Sequence, residues 1–238
     1  MTDGSRPSAR FLLSRPDDIH ATALTSQFGY ANRQLNRAVR ELMLASGLEA
    51  GATVVDYGCA DRPYLQFLPD GVNYVGVDLA GNPKADLELT PEGTIPVPSE
   101  TADLVLSTQV LEHVDDPRAY LRECARVLRP GGKLLLSTHG IMYYHPDPED
   151  YWRWTCAGLR RLIEEHGFGV VESQGLLGLV AASLQLIQDR TCWQVPRRVR
   201  RPYVVAMQML IALADRRDTD ESRATNSWTM AVLARKSE

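Results

Sequence analysis

Short apolar segments alternate with helical patterns along most of this chain, and this alternation constrains its fold more than any other feature. The strand candidates at 53–57, 74–78, 103–107 and 133–137 are apolar nearly throughout, as is typical of strands buried on both faces of a parallel sheet. Strands that alternate with helices predict an α/β fold with a doubly wound, mostly parallel sheet and right-handed crossovers.

The regions around this sheet predict one catalytic domain with two additions. Apolar residues recur at helical spacing over 31–46, which predicts a helical cap within residues 1–49. Residues 50–238 then form the catalytic domain, with a helical insertion at about 175–226 and a final strand at 228–234.

Three helices are predicted between the strands. Helical stripes cover 117–128 and 155–166, and Pro63 is well placed in the first turn of a helix after the first strand. The interval 79–102 is rich in Pro and Gly, so a full helix is not expected there and the connection should be short or irregular.

Composition narrows the class of partner and the compartment. The 238 residues carry a formal net charge of −4, which argues against a nucleic-acid partner. The four cysteines form no CxxC pair and have no zinc-finger spacing, which predicts reduced, mostly buried thiols. Charges and prolines occupy the N-terminus where a signal peptide needs an apolar run, and no apolar stretch is long enough to span a membrane. We therefore expect a cytoplasmic protein.

Polar residues at the ends of the first two strand candidates predict an adenosine-containing cofactor, because ligands of open α/β sheets bind outside the carboxyl ends of the strands. Asp56 and Gly58 close the first strand, and Asp78 follows 20 residues after Gly58, where a carboxylate can bind both ribose hydroxyls. Asp61 disfavours a pyrophosphate beside this turn. S-adenosylmethionine lacks phosphate and carries an ammonium and a sulfonium, and Asp56 can hold the ammonium directly or through backbone and water.

The segments that carry these residues resemble class I S-adenosylmethionine-dependent methyltransferases, of the type 11-like group found in bacteria. These segments are VVDYGCADRPY, YVGVD, ADLVLSTQVLEHVDDP and RVLRPGGKLLLS, with the closing hydrophobic strand. The resemblance covers residues 50–174 and resumes at 227–235. It implies a seven-stranded sheet with an antiparallel last strand, and S-adenosyl-L-methionine as the cofactor.

The same resemblance implies a set of cofactor-binding residues. Gly58 and Ala60 would pack against the methionine moiety, and Asp78 would bind the ribose. Ala60 stands where the family usually has a second glycine, and its methyl group is tolerated if φ stays negative. The other implied residues are Leu79 beside Asp78, Asp86 or Leu87 by the adenine, and Ser107, Thr108 and Gln109 on the pocket floor.

A polar and aromatic segment after residue 137 predicts the acceptor side of the site. Within it, HPDPEDYWRWT resembles a stretch of bacterial methyltransferases from glycan and secondary-metabolite pathways. Rings interspersed with carboxylates and an arginine suit a sugar. The candidate general bases are His139 and His145, and the candidate substrate residues are Tyr143, Asp150, Tyr151, Trp152 and Arg153. The alternatives are that His139 caps backbone, His145 is simply exposed, and Tyr151 and Trp152 pack the loop onto the sheet.

The strand-four segment also resembles that of ubiquinone-pathway O-methyltransferases, some of which bind a divalent metal through an acidic residue where Gln109 stands. Gln109 removes that charged ligand, so we expect no metal. Glu112 is instead expected to satisfy helix-terminal amides, and His113 to lie near the cofactor.

Two apolar segments within 176–214 flank five arginines: Arg190, Arg197, Arg198, Arg200 and Arg201. The pattern favours core helices or a homodimer face joined by a solvated basic loop. It also fits peripheral contact with an anionic membrane, or a site for a phosphorylated acceptor.

The predicted function is O-methylation of a hydroxyl on a sugar, a glycan or another small metabolite. A nicotinamide-dependent reductase or epimerase is an alternative, disfavoured by Asp61 and by the lack of a Tyr with Lys four positions later. A non-catalytic S-adenosylmethionine-binding subunit is a further alternative that Ala60 leaves open.

Overall fold

The computed structural model describes residues 20–146 and 149–237, which form one mixed sheet covered by helices. The strands are β1 (Thr53–Tyr57), β2 (Asn73–Asp78), β3 (Leu87–Glu88), β4 (Ala102–Thr108), β5 (Leu128–His139), β6 (Phe168–Gly178) and β7 (Ser227–Lys236). Their order in the sheet is β3-β2-β1-β4-β5-β7-β6. Pairs are parallel except those of β7, which is antiparallel to β5 and β6. The predicted α/β fold, with its seven strands and antiparallel last strand, is confirmed.

One helix precedes β1, and the other helices lie in the connections between β4 and β7. They are α1 (Gly29–Ala45), α2 (Pro117–Val127), α3 (Cys156–Glu164), α4 (Leu179–Thr191), α5 (Arg197–Asp215) and α6 (Asp220–Thr225). Asp116 and Thr155 cap α2 and α3 by accepting from amides of the first turn, and Pro117 takes a first-turn position that needs no donor. The first 19 residues of the expected N-terminal cap lie outside the described part of the chain.

The two faces of the sheet bury separate clusters. On one face Val55, Val105 and Leu134 pack with α2 and α3. On the other, residues next to these in the strands, such as Leu104 and Leu135, pack with α1, α4 and α5. Because side chains alternate along a strand, each strand contributes to both cores, and its carboxyl end remains available for a site.

The structure corrects one predicted helix. After Pro63 there is only a 3-10 turn, Leu65–Phe67, since Pro69 and Gly71 end the segment before a helix can extend. The connection between β2 and β4 is irregular as expected, and β3 has two residues. Three of the four free cysteines are buried, as predicted. Among the described residues no helix has both the length and the apolar character to cross a membrane.

Candidate functional site

The carboxyl edge of β1 and β4 is built from turns with unusual backbone conformations. Gly58 has φ of 82°, and the non-glycine residues Ala60, Arg62 and Gln109 have φ of 44°, 58° and 57°. The condition of a negative φ, under which the Ala60 methyl group was expected to be tolerated, is therefore not met. Each of the three non-glycine residues costs about 1 kcal/mol of folding free energy in this left-handed conformation. Backbone strain of this kind concentrates at functional sites.

Asp78 holds the strained turn in place from the end of β2. Its Oδ2 accepts from the Ala60 amide at 2.9 Å and from Asn82 Nδ2 at 2.6 Å, and its Oδ1 accepts from the Leu79 amide at 2.7 Å. Asn82 also donates to the Ala60 carbonyl. A carboxylate has about four acceptor positions, so Asp78 keeps capacity for a further donor such as a ribose hydroxyl. The preorganised carboxylate and the tight turn fit the nucleoside of the cofactor that the resemblance implies.

Asp56 lies one strand away in a different environment. It is buried in β1 and accepts from the Tyr74 hydroxyl at 2.6 Å. Burial raises the pKa of Asp56 to about 7, and the Tyr74 hydrogen bond opposes this rise. Asp56, which was expected to hold the ammonium group of the cofactor, is thus hydrogen-bonded to the Tyr74 side chain inside the protein.

The residues expected around the adenine and the pocket floor are bound to neighbouring strands. Asp86 accepts from the Gly76 amide at 2.8 Å and pairs with Arg62 at 2.7 Å. Leu87 is partly buried against the core. Two of the floor residues make hydrogen bonds: the Ser107 hydroxyl donates to Tyr57 O, and Gln109 donates to Ser137. Thr108 is partly buried at the end of β4.

On the acceptor side, His139 and Glu112 form a buried pair at the end of β5. His139 Nδ1 lies 3.0 Å from Glu112 Oε1, although the contact is poorly aligned for a hydrogen bond. The other Glu112 oxygen accepts from the Thr138 hydroxyl at 2.8 Å, and the carboxyl group also bonds to its own amide, in the 3-10 turn Leu111–His113.

Burial moves the pKa values of this pair in opposite directions. It raises the pKa of Glu112 to about 7 and lowers that of His139 well below its usual value, with His145 and Arg153 adding to the decrease. The neutral form of His139 is therefore favoured at neutral pH.

His145 belongs to a second set of groups, centred on Asp150. Its amide donates to Asp150 Oδ2 at 2.8 Å, and its Nδ1 lies 3.1 Å from the same oxygen, in a contact that is poorly aligned for a hydrogen bond. Arg153 donates to both oxygens of Asp150 at 2.6 Å. Although burial acts in the opposite direction, these hydrogen bonds hold the pKa of Asp150 well below its usual range. Asp150 is therefore an ionised group in contact with one nitrogen of the His145 ring.

Three histidine rings meet at this point. The His145 ring centroid lies 4.7 Å from that of His139 and 5.0 Å from that of His113, in edge-to-face contact. Ligand atoms of Glu112, His113 and His145 lie within 4.8 Å of one another, so these residues have the geometry to hold a metal ion. The Glu112 oxygens, however, already contact Thr138 and His139, and His113 Nδ1 contacts the Glu149 carbonyl.

The loop that carries the acceptor residues is fixed to the turn after β4. The amides of Tyr151 and Trp152 both donate to the Glu112 carbonyl, and Trp152 Nε1 donates to Val114 O at 2.8 Å. Trp152 also stacks on Trp154 at 5.8 Å. Tyr143, Tyr151 and Trp152 nevertheless keep exposed ring surface. The packing role and the substrate role considered for Trp152 are therefore compatible.

The structure thus brings together most of the predicted residues in two groups, one around Asp78 and one around His145. Sequence reasoning missed Asn82 and Thr138, which complete the hydrogen bonding of Asp78 and Glu112. Asn82 lies only four residues after Asp78, so the hydrogen bond between them could have been predicted from the sequence. Nothing local in the sequence pairs Thr138 with Glu112, 26 residues away.

Comparisons with known proteins identify the family of this chain. A family model described as a methyltransferase domain matches residues 29–173. A Mycolicibacterium smegmatis protein named "Probable S-adenosylmethionine-dependent methyltransferase" is 30% identical over 143 residues, covering 53% of this chain and 56% of that protein. A ubiquinone biosynthesis O-methyltransferase of Bradyrhizobium sp. is 34% identical over 133 residues, covering 50% of this chain and 51% of that protein. The chain spans about half the length of these two curated relatives.

A solved structure extends the comparison to the whole fold. The crystal structure of a SAM-dependent methyltransferase from Aquifex aeolicus matches with a TM-score of 0.54 and 13% identity, covering 97% of this chain and 100% of that one. At this identity the match shows a shared fold.

Proposed function

The chain belongs to the methyltransferase domain family, as a class I S-adenosylmethionine-dependent methyltransferase, and from that premise we propose that it methylates a hydroxyl of a sugar or another small metabolite. The observation that carries this proposal is the ordered set His145, Asp150 and Arg153 at the carboxyl edge of the sheet. The name of the Bradyrhizobium relative, an O-methyltransferase, supports oxygen as the acceptor atom.

The donor side of the proposed site is the Asp78 group. S-adenosyl-L-methionine, when bound, supplies a methyl group activated by a positively charged sulfur. We assign one ribose hydroxyl to Asp78, whose carboxylate is already oriented by amides of Ala60 and Leu79. Gly58 and Ala60 provide the turn beside the methionine moiety. The acidic character of this edge suits a cationic ligand.

The acceptor's proton is assigned to His145. As the methyl–oxygen bond forms and the sulfur–carbon bond breaks, the hydroxyl proton passes to His145 Nε2, the ring nitrogen remote from Asp150. Asp150, kept ionised by Arg153, then stabilises the imidazolium. His139 is the weaker candidate base because burial opposes its protonation. Its ring contacts the His145 ring and limits its rotation.

The acceptor itself is assigned to the exposed rings of Tyr143, Tyr151 and Trp152. Sugar CH faces pack on aromatic rings, whereas hydroxyl groups need acceptors and donors such as those around Asp150 and Arg153.

Two measurements on the purified full chain test the proposal. Titration calorimetry should detect S-adenosyl-L-methionine binding, and absence of affinity would refute the proposed donor. A panel of sugars, nucleotide sugars and phenols, read by S-adenosylhomocysteine formation, then identifies the acceptor class. Turnover on a nitrogen or carbon acceptor alone would overturn the assignment of a hydroxyl.

A further inference from the structure

Helices α4 and α5 bury glutamines beside apolar residues such as Ala181 and Ile211, and leave other apolar residues exposed. Gln185, Gln188 and Gln208 are fully buried. They bond to one another through Gln208, and all three donate to the Gln27 carbonyl. On the opposite sides of the same helices, Val180 is 61% exposed and Met209 is 59% exposed.

Exposed apolar residues are concentrated on these two helices. We define the apolar face as Leu179, Val180, Ile187, Met209, Leu210 and Leu213, each of which is exposed. Part of this face lines a groove of about 340 Å³ between the helices, whose lining residues are Val180, Leu184, Leu210, Leu213, Ala214, Arg217 and Asp218. Of the 16 exposed large apolar residues in the described chain, eight lie between 179 and 213. Such concentration marks an interaction surface.

Unpaired positive charge borders this apolar face at both ends. We define the arginine rim as Arg190, Arg197, Arg198 and Arg201 at one end, with Arg216 and Arg217 at the other. Within 20–146 and 149–237, none of these six lies within 4.0 Å of a carboxylate. By contrast, exposed arginines on α3 pair with Glu164 and Glu165. Arg200 stacks on the exposed ring of Trp193, 4.8 Å from its centroid.

We propose that this surface binds an anionic lipid membrane peripherally, with the apolar face entering the headgroup boundary and the arginine rim contacting lipid phosphates. Apolar helix faces bordered by Arg and Trp are suited to this interface. A second copy of the chain fits less well. A two-fold partner with parallel helices would bring the arginines at positions 197, 198 and 201 of the two copies together.

Vesicle sedimentation with the full chain tests the proposal. Wild type should bind vesicles of equal phosphatidylcholine and phosphatidylglycerol, and should bind phosphatidylcholine alone at least tenfold more weakly. The triple variant Arg197→Gln/Arg198→Gln/Arg201→Gln should weaken binding by about 100-fold, given roughly fivefold per arginine. Met209→Ser/Leu213→Ser should also weaken it.

Matched controls separate the surface from general charge and hydrophobicity. Arg160→Gln/Arg161→Gln removes exposed arginines of α3, and Leu44→Ser removes an exposed leucine of α1. Neither should change binding, and circular dichroism checks that every variant is folded. Equal losses in the controls and the surface variants would overturn the proposal.

Two other outcomes assign the surface elsewhere and overturn the proposal. One is a wild-type dimer in light scattering that Met209→Ser/Leu213→Ser dissociates, without vesicle binding. The other is binding to vesicles only after residues 1–19 have been removed. This result would mean that the chain's own N-terminal segment is the natural occupant of the apolar face.

Discussion

The donor edge after β1 and β2 and the acceptor edge after β4 and β5 are stabilised in different ways. At the donor edge, backbone amides of Ala60 and Leu79 hold the Asp78 carboxylate within a strained turn. At the acceptor edge, side chains dominate: Thr138 and His139 surround Glu112, and Arg153 holds Asp150. The donor edge is therefore built mainly by local backbone, and the acceptor edge by contacts between elements.

The carboxylates of the two edges show how local partners set ionisation. Asp150 has several donors, including Arg153, and its pKa is well below the usual range. Glu112 and Asp56 are buried with fewer donors, and the pKa of each rises to about 7. Whether a buried carboxyl group is anionic or titrates near neutrality therefore depends on the number and charge of its hydrogen-bond donors. It does not depend on whether the residue is Asp or Glu.

The largest effect that distinguishes the edges is expected from the acceptor side. His145→Ala should lower kcat by about 10²–10⁴-fold, because the proton acceptor is lost, while donor affinity stays within twofold. Steady-state kinetics and calorimetry measure the two quantities. Tyr144→Phe, a change at the exposed neighbouring residue, serves as the control. Retention of full activity by His145→Ala would remove the proposed base.

A smaller effect is expected on the donor side. Asp78→Asn should weaken S-adenosyl-L-methionine binding by about 10–100-fold, because the bond from a ribose hydroxyl to a charged group is lost. Glu88→Gln is a matched control, since this carboxylate bonds to the Gly81 amide at the end of the neighbouring strand. Calorimetry at constant pH gives the comparison. Equal affinity in Asp78→Asn and wild type would contradict the assigned ribose contact.

The smallest effect is a pH dependence of stability. Because burial raises the pKa of Glu112 from 4.5 to about 7, its stabilising contribution is full below its unfolded pKa and is lost as pH rises through about 7. Glu112→Gln should therefore flatten the decline in Tm between pH 5 and pH 8, with a gain of about 3–6 °C at pH 8.

One control accompanies this pH measurement. Glu164→Gln, at an exposed ion pair of α3, should leave the slope unchanged. His139 titrates in the opposite sense: its pKa is lowered, so its contribution is present above about 6.5 and is lost as pH falls. An unchanged slope in Glu112→Gln would show that Glu112 stays ionised in the folded protein.

Much of the fold and part of the candidate site followed from local patterns. The strands ending at Tyr57 and Asp78 were readable because buried parallel strands are apolar throughout. The acidic and glycine residues at their ends followed from the position of ligands in such sheets. The prediction of a helix after Pro63 was wrong. A proline in a first-turn position indicates where a helix can begin, but it does not show that Pro69 ends the segment too early for a helix to form.

The sequence by itself determined the mostly parallel sheet and the Asp78 edge, because strand periodicity and turn residues act over a few positions. The antiparallel last strand followed from the family resemblance. Only the tertiary structure showed that Asp150 contacts His145, that Glu112 contacts His139, and that the glutamines of α4 and α5 are buried. These features depend on contacts between elements distant in the chain, such as the Gln208 bond to the Gln27 carbonyl, 181 residues apart. Burial then sets the pKa values and leaves the apolar face outward, and neither property is encoded in a local pattern.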